Sequence, residues 1–326
     1  MGFSTPAQSP GQQYALAAVL SLLPTLFTAL RFYARRLKKN ALLWDDWLIV
    51  VALFFTYLTG VFMVIGTALG NQGQHMKFDD HGRPVFDDPR YIWFLKMLWA
   101  GQLSQIFAIG PTKISVLLFY NRIFRGRTFN IINWALIALV SIWMIGYFFA
   151  NLLECVPISH SFINAPGINL DRKHCIDAVP MYLSQVYSDL VLDALILIVP
   201  LPLIWKLHLP VKQKIAVCCI FLLGIMAVAA SCAKMIIFNF VGHQLELEPD
   251  VSYFLTPIVY WPMIQAALQI IGACLPMLRP LIPSVQGSES GSSGRNRSGY
   301  IISDDSSRKI PSSHEGMYSS TSSYGM

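Results

Sequence analysis

Seven ionisable side chains draw attention by where they fall. Asp45 and Asp46 are adjacent in WDDW, and Lys96, Lys113, Asp189, Asp193 and Lys234 lie inside long apolar runs. A charge in a membrane-spanning helix is expensive, so it faces a partner, the bundle interior or an aqueous cavity. Asp189 and Asp193 are at i and i+4 and share one helix face. Their like charges oppose each other unless a cation intervenes or one stays protonated. Lys113 sits at a depth that reaches Asp193, whereas Lys96 and Lys234 lie in outer portions of their runs, within reach of Asp189 or an outer vestibule. Three readings of this set stay open: internal glue, a ligand-binding or switching site, and an ion or proton path. Two aspartates on a single helix do not supply the opposed pair from two helices that an intramembrane hydrolase uses, and no catalytic residue is assigned.

The WDDW aspartates invite an acid-pair or metal reading, but their setting points elsewhere. They follow RFYARRLKKN and precede a long apolar run, the place where a second helix begins. Carboxylates in a first helical turn accept from its free N–H groups and meet the positive end of the helix dipole, for about 0.3 to 2 kcal/mol. The expected role of Asp45 and Asp46 is to fix where this helix enters the membrane, with a second pairing to Arg122 or Arg125 on a neighbouring loop. Trp44 and Trp47 have the amphipathic character of interface anchors. Arg35, Arg36, Lys38 and Lys39 then mark the cytoplasmic side, in contact with anionic lipid.

Other chemistries are absent from the sequence. There is no P-loop, dinucleotide fingerprint, HExxH or GxSxG, and no zinc or iron–sulfur spacing. HMKFDDHGRPVFDD clusters His75 and His81 with Asp79 and Asp80, and reads as a solvated loop rather than a cation site. Cys155 and Cys175 bracket one loop, where a disulfide is open to them; the other four cysteines lie in helices as small hydrophobes. Retinal is held as a Schiff base on a lysine, conventionally in the last helix, but SYFLTPIVYWPMIQAALQIIGACLPML has no lysine. No cofactor is therefore expected.

The elements that position these residues follow from composition. Hydrophobic residues make up 54% and charged residues only 13% of 326 residues, about half the charge of a typical soluble domain. The basic residues form scattered clusters rather than a stripe or a reader motif, which sets nucleic acid aside. Seven runs are long enough to cross a bilayer, at about 13-33, 47-69, 91-119, 131-153, 179-203, 215-240 and 253-278. The third carries Gly110-Pro111, which predicts a kink or tilt. Pro200 and Pro202 fall at the end of the fifth run, and Pro257 and Pro262 interrupt the seventh. Eleven basic residues lie in loops 31-46, 120-130 and 205-214, against five in the alternate segments. That bias predicts an N-terminus outside and a C-terminus inside. The expected architecture is an all-α seven-transmembrane bundle: a short extracellular segment 1-12, a membrane domain 13-280 and a cytoplasmic tail 281-326. The tail carries fifteen serines and no apolar periodicity. It should be disordered, with Ser306, Ser307, Ser312 and Ser313 open to phosphorylation.

Several of these segments, in this order, resemble one family. RFYARR with WDDW, KISVLLFYNRIF (113-124), Cys155-Val156-Pro157 with Cys175, Asp193 followed by PLPLIWKLHLPVKQK (200-214), and ACLPMLRPL (273-281) are similar to the fungal rhodopsin-like domain proteins. These are seven-helix integral membrane proteins of filamentous fungi, and the resemblance covers about residues 14 to 282. It implies a receptor-like protein of a fungal membrane, the plasma membrane before internal ones. Such a protein senses an extracellular or apolar small-molecule cue and signals through its inner loops to a heterotrimeric G protein, without retinal. By motif, Asp45, Asp46, Lys113, Tyr120, Asp193, Trp205, Lys214, Cys274, Pro276, Arg279 and Pro280 fall on signature positions. Gln265 stands where the resemblance implies a glutamate, and Lys234 where it implies an arginine. The competing expectations are a small-solute transporter or channel, and a non-signalling structural membrane protein.

Overall fold

A computed structural model describes residues 9–37, 39, 41–75, 88–123, 126–158, 162, 175–201, 211–247 and 251–278, the backbone alone over 211–223, 244–247 and 251. Among these residues, seven helices are long and apolar enough to cross a membrane. They are α1 (Pro10–Leu37), α2 (Trp44–Leu69), α3 (Pro89–Ile123), α4 (Arg127–Leu152), α5 (Ala178–Ile198), α6 (Val211–Leu247) and α7 (Thr256–Leu278), the last preceded by a single turn at Val251–Phe254.

Helix ends differ from the sequence expectation where local chemistry decides. α2 starts at Trp44 instead of 47, because Asp46 accepts the backbone N–H of Leu43 at 3.0 Å and closes the first turn. α5 stops at Ile198 rather than 203, just before Pro200, which lacks the donor that another turn needs. Pro111 does not break α3, and Pro262 does not interrupt α7; both helices run through them. Pro257 sits in the first turn of α7, where a missing N–H costs nothing.

α3 and α7 form the centre. About two thirds of the apolar window of each is buried within the protein, against 22 to 39% for the other five. α2 and α4 flank α3, α1 and α6 flank α7, and α5 packs against α6. Phe94, Leu98, Phe238, Ile258 and Met263 form one core. Ile106, Leu117, Tyr120, Val140, Leu192 and Ile196 fill a second, between α3, α4 and α5. The outer faces carry exposed apolar side chains such as Leu22, Phe54, Ile142 and Ile236, as a lipid-facing surface requires. Buried hydroxyls are met locally: Thr28, Thr56, Thr59, Thr67 and Thr112 each donate to the carbonyl four residues back.

Two ends can be told apart. One holds the α2–α3 connection and a Cys155–Cys175 disulfide, and is called the disulfide end. The other, where α1 ends and α2 begins, carries Arg31, Arg35 and Arg36 and is called the basic end.

Candidate functional site

The buried charges of three helices meet in one network. Asp189 and Asp193 lie one turn apart on α5, and Lys113 of α3 reaches both: its ammonium donates to Asp193 Oδ1 at 2.6 Å and to the Asp189 carbonyl at 3.1 Å. It also makes a 2.7 Å ion contact with Asp189 Oδ1. Lys234 of α6 donates to Asp189 Oδ2 at 2.5 Å. So the cation that two neighbouring aspartates require comes from the protein itself, twice. All four groups are buried, from 0% exposure at Asp189 to 6% at Asp193. The cluster holds two carboxylates and two ammonium groups and is neutral overall.

α7 completes the network through amides. Gln265 Nε2 donates to Asp189 Oδ2 at 2.9 Å, Ser231 Oγ at 2.7 Å and Asp193 Oδ2 at 3.3 Å. Gln269, one turn further, donates to both Asp193 oxygens at 3.2 Å, and Ser231 donates to Asp193. A carboxylate only accepts, so each amide must present its nitrogen here. Ser231 and Gln269 were not singled out in the sequence, although their spacing from Lys234 and Gln265 puts them on the same helix faces. Lys96 does not join this network. Its ammonium lies 5.7 Å from the Trp93 ring centre and 6.0 Å from that of Phe162, because its helix face turns outward, away from α5.

The WDDW aspartates build a second neutral cluster at the basic end. Arg31 donates to Asp45 Oδ2 at 2.5 Å and to Asp46 Oδ1 at 2.8 Å. Arg35 donates to Asp45 Oδ2 at 2.6 Å and stands 2.8 Å from Asp46 Oδ2. This corrects the expected pairing with Arg122, which is exposed; Arg125, the other expected partner, lies outside the described residues. The short α1–α2 connection sets the last turn of α1 beside the first turn of α2, so arginines at i and i+4 meet the adjacent acids directly. Arg35 is 3% exposed, which also removes it from the expected lipid contact; Arg36 remains exposed. Trp44 and Trp47 are exposed on the outside of the same turn.

The two clusters share helices. Lys113 and Ser115 are two residues apart on α3, and Ser115 donates to the Asp45 carbonyl at 2.7 Å. Gln269 and Ala273 are one turn apart on α7, and the Ala273 carbonyl accepts from Arg31 at 2.6 Å. Clefts lie on either side of the central network. One, toward the basic end, is lined by Lys113, Tyr120, Asp193 and Gln269. The other, at the disulfide end, is lined by Trp99, Gln102, Glu154 and Tyr182. Tyr182 donates to Glu154 Oε2 at 3.0 Å, and Trp99 donates to the Asn151 carbonyl at 3.0 Å. Burial pushes the Glu154 carboxyl above its ordinary value, against the pull of the Tyr182 hydrogen bond.

Of the remaining expectations, Cys274 is buried within α7, while the side chains of Cys218 and Cys219 are not described. His75 stacks on Tyr253 at 4.3 Å between ring centres. His81, Asp79, Asp80, Trp205, Arg279, Pro280 and the tail serines Ser306, Ser307, Ser312 and Ser313 lie outside the described residues. Among the described residues, no three His, Cys, Asp or Glu side chains are grouped for a metal ion.

The family model described as fungal rhodopsin domain matches residues 30–284. The chain is 32% identical over 292 residues to the phomoidride biosynthesis cluster protein H of a fungal species, covering 82% of this chain and 87% of that protein. It is 26% identical over 278 residues to the polyenoic acids biosynthesis gene cluster protein Ba17b of Metarhizium anisopliae, covering 82% and 72%. It is 26% identical over 320 residues to Receptor GIN3 of Arthrobotrys oligospora, covering 94% and 72%. No solved structure matches the chain.

Proposed function

Because the chain belongs to the fungal rhodopsin domain family, a family of membrane proteins, we propose that it is a receptor-like protein that senses a small apolar cue and passes the response through its bundle. The observation that carries this reading is the linkage of two buried ion clusters through α3 and α7. A cue that shifts either helix at the disulfide end must re-pair Asp189 and Asp193. Ser115 and Ala273 then carry the shift to Arg31, Asp45 and Asp46. Coupling of this kind needs an element with two arrangements, and interchangeable donors around two carboxylates supply one. A relative named as a receptor supports the signalling reading, and relatives named for biosynthesis clusters support a small organic cue.

In this reading the disulfide end faces outward from the plasma membrane and the basic end meets the cytoplasm, as the bias in basic residues directs. A heterotrimeric G protein docks at the basic end, and Trp44 and Trp47 hold the start of α2 at the lipid interface. Phosphorylation of Ser306, Ser307, Ser312 and Ser313 tunes that docking by adding charge. No cofactor takes part.

The test is guanine-nucleotide exchange by a heterotrimeric G protein co-reconstituted with the full chain and challenged with small apolar compounds. Cue-dependent exchange that Asp193→Asn removes, at unchanged folded yield, is the expected result. Absence of exchange with every cue overturns it. The clefts on both sides of the ion network favour one second reading, a small-solute transporter alternating across it. Radiolabelled solute uptake into proteoliposomes, lost in Lys113→Met, would select that reading. If Asp193→Asn and Lys113→Met lower folded yield and nothing else, the protein is a structural one.

A further inference from the structure

We propose that the cleft at the disulfide end is a ligand site for an uncharged, largely apolar small molecule with an amide or hydroxyl head group, held by Gln102 and closed to carboxylates by Glu154. The assignment deepens the sensing reading above and rests on it for its biological meaning, though not for its chemistry.

The cleft is a partly open hollow with about 50 Å³ of free volume, several times what one water needs. Its walls are apolar, from Leu98, Leu183, Phe238 and Ile258. Gln102 enters from α3 and is 4% exposed. It makes no hydrogen bond among the described residues, whereas Thr59, Thr67, Asn133 and Asn151 around the same bundle all find acceptors. Its amide atoms are not sealed within protein and open into the cleft that the residue lines. Both its donor and its acceptor await a group that accepts and donates in turn, which an amide or a hydroxyl does and a hydrocarbon does not.

The groups that line the cleft disfavour ionic heads. Glu154 brings a carboxyl whose Oε2 already takes the Tyr182 hydroxyl, so a carboxylate ligand there would require one of the two acids to stay protonated. An ammonium head only donates and would leave the Gln102 N–H groups without an acceptor. A neutral molecule avoids both penalties. Position adds to the argument: Leu95, Leu98, Trp99 and Gln102 share α3 with Lys113. Eleven residues separate Gln102 from Lys113, roughly 16 Å along a helix, so occupancy of the cleft bears on the helix that holds the central network.

Native mass spectrometry of the full chain in detergent micelles, with octanamide and octanoate as matched probes at pH 7, tests the assignment. One octanamide per chain is expected, at least about tenfold tighter than octanoate. Gln102→Leu should weaken octanamide about tenfold without lowering the unfolding temperature, since the unliganded amide has no bond to lose. Glu154→Gln should raise octanoate affinity several-fold. Octanoate binding as tightly as octanamide overturns the proposal, as does wild-type octanamide affinity in Gln102→Leu. The two readings fail separately. Octanamide binding as described with no nucleotide exchange by any cue removes the receptor and leaves the site; exchange driven by a charged cue and untouched by Gln102→Leu removes the site and leaves the receptor.

Discussion

Gln265 donates its amide toward Asp189, Asp193 and Ser231 at the centre of the bundle, so that position works as a donor among acceptors. A glutamate there would add a third carboxylate to two ammonium groups and remove those donors. Gln265→Glu should therefore cost about 3 to 5 kcal/mol, the scale of an uncompensated buried charge. Gln265→Met, which deletes the donors without adding charge, should cost about 1 to 3 kcal/mol. Thermal unfolding of the two variants in micelles checks the order; equal losses would mean that charge balance is not what this position controls. Glu154 makes a prediction with a pH sign. Burial holds its folded-state pKa above the ordinary 4.5, so the stability it contributes is fully present below that value and is lost as pH rises through the raised one. The unfolding temperature should fall over that interval, and Glu154→Gln should flatten this part of the profile.

At the level of the elements, one close approach decides how α2 and α3 meet. Gly70 ends α2 against the backbone of Phe94, and an added Cβ would lie 2.8 Å from the Phe94 Cα and nitrogen and 2.7 Å from the Gly66 carbonyl oxygen. Backbone cannot step aside as a side chain does. Gly70→Ala should cost about 1 to 3 kcal/mol through forced displacement of α3, read as a lower unfolding temperature. Gly110→Ala is the control, since its added Cβ meets only the flexible Met144 side chain; an effect as large as that of Gly70→Ala would refute the steric argument. α3 is the element on which most depends: it lines the disulfide-end cleft, holds both aspartates of α5 through Lys113, and grips α2 through Ser115.

For the whole molecule, orientation can be read chemically. With the basic end in the cytoplasm, Arg36→Cys should react with a membrane-impermeant maleimide only after permeabilisation, and Gln74→Cys in intact cells; the reverse pattern would invert the topology. The seven spans were legible in the sequence because twenty apolar residues announce themselves by length alone. The intramembrane charges were legible as cost, and the i, i+4 spacing of Asp189 and Asp193 called for a cation or a retained proton. Depth along the spans already pointed Lys113 to Asp193 and Lys234 to Asp189, but not the shape of the whole network. Lys113 and Lys234 converge on α5 only because α3, α6 and α7 pack around it, and Arg31 and Arg35 looked like topology markers until the short α1–α2 connection placed them on Asp45 and Asp46. Polar side chains without charge, Ser231, Gln269 and Gln102, gave the weakest signal, since a hydroxyl or amide in an apolar run names no partner until neighbouring helices are in place. The neutral central cluster also bears on synthesis. α5 leaves the ribosome with two aspartates, each adding about 2.5 to 3.5 kcal/mol to the cost of insertion at a helix centre. Lys113 on α3 has by then been made and can receive them, but Lys234 on α6 has not. Asp189 gains its second cation only when the next span emerges, so nascent α5 must wait beside α3, and a chain halted before α6 is left with an excess of negative charge in its membrane interior.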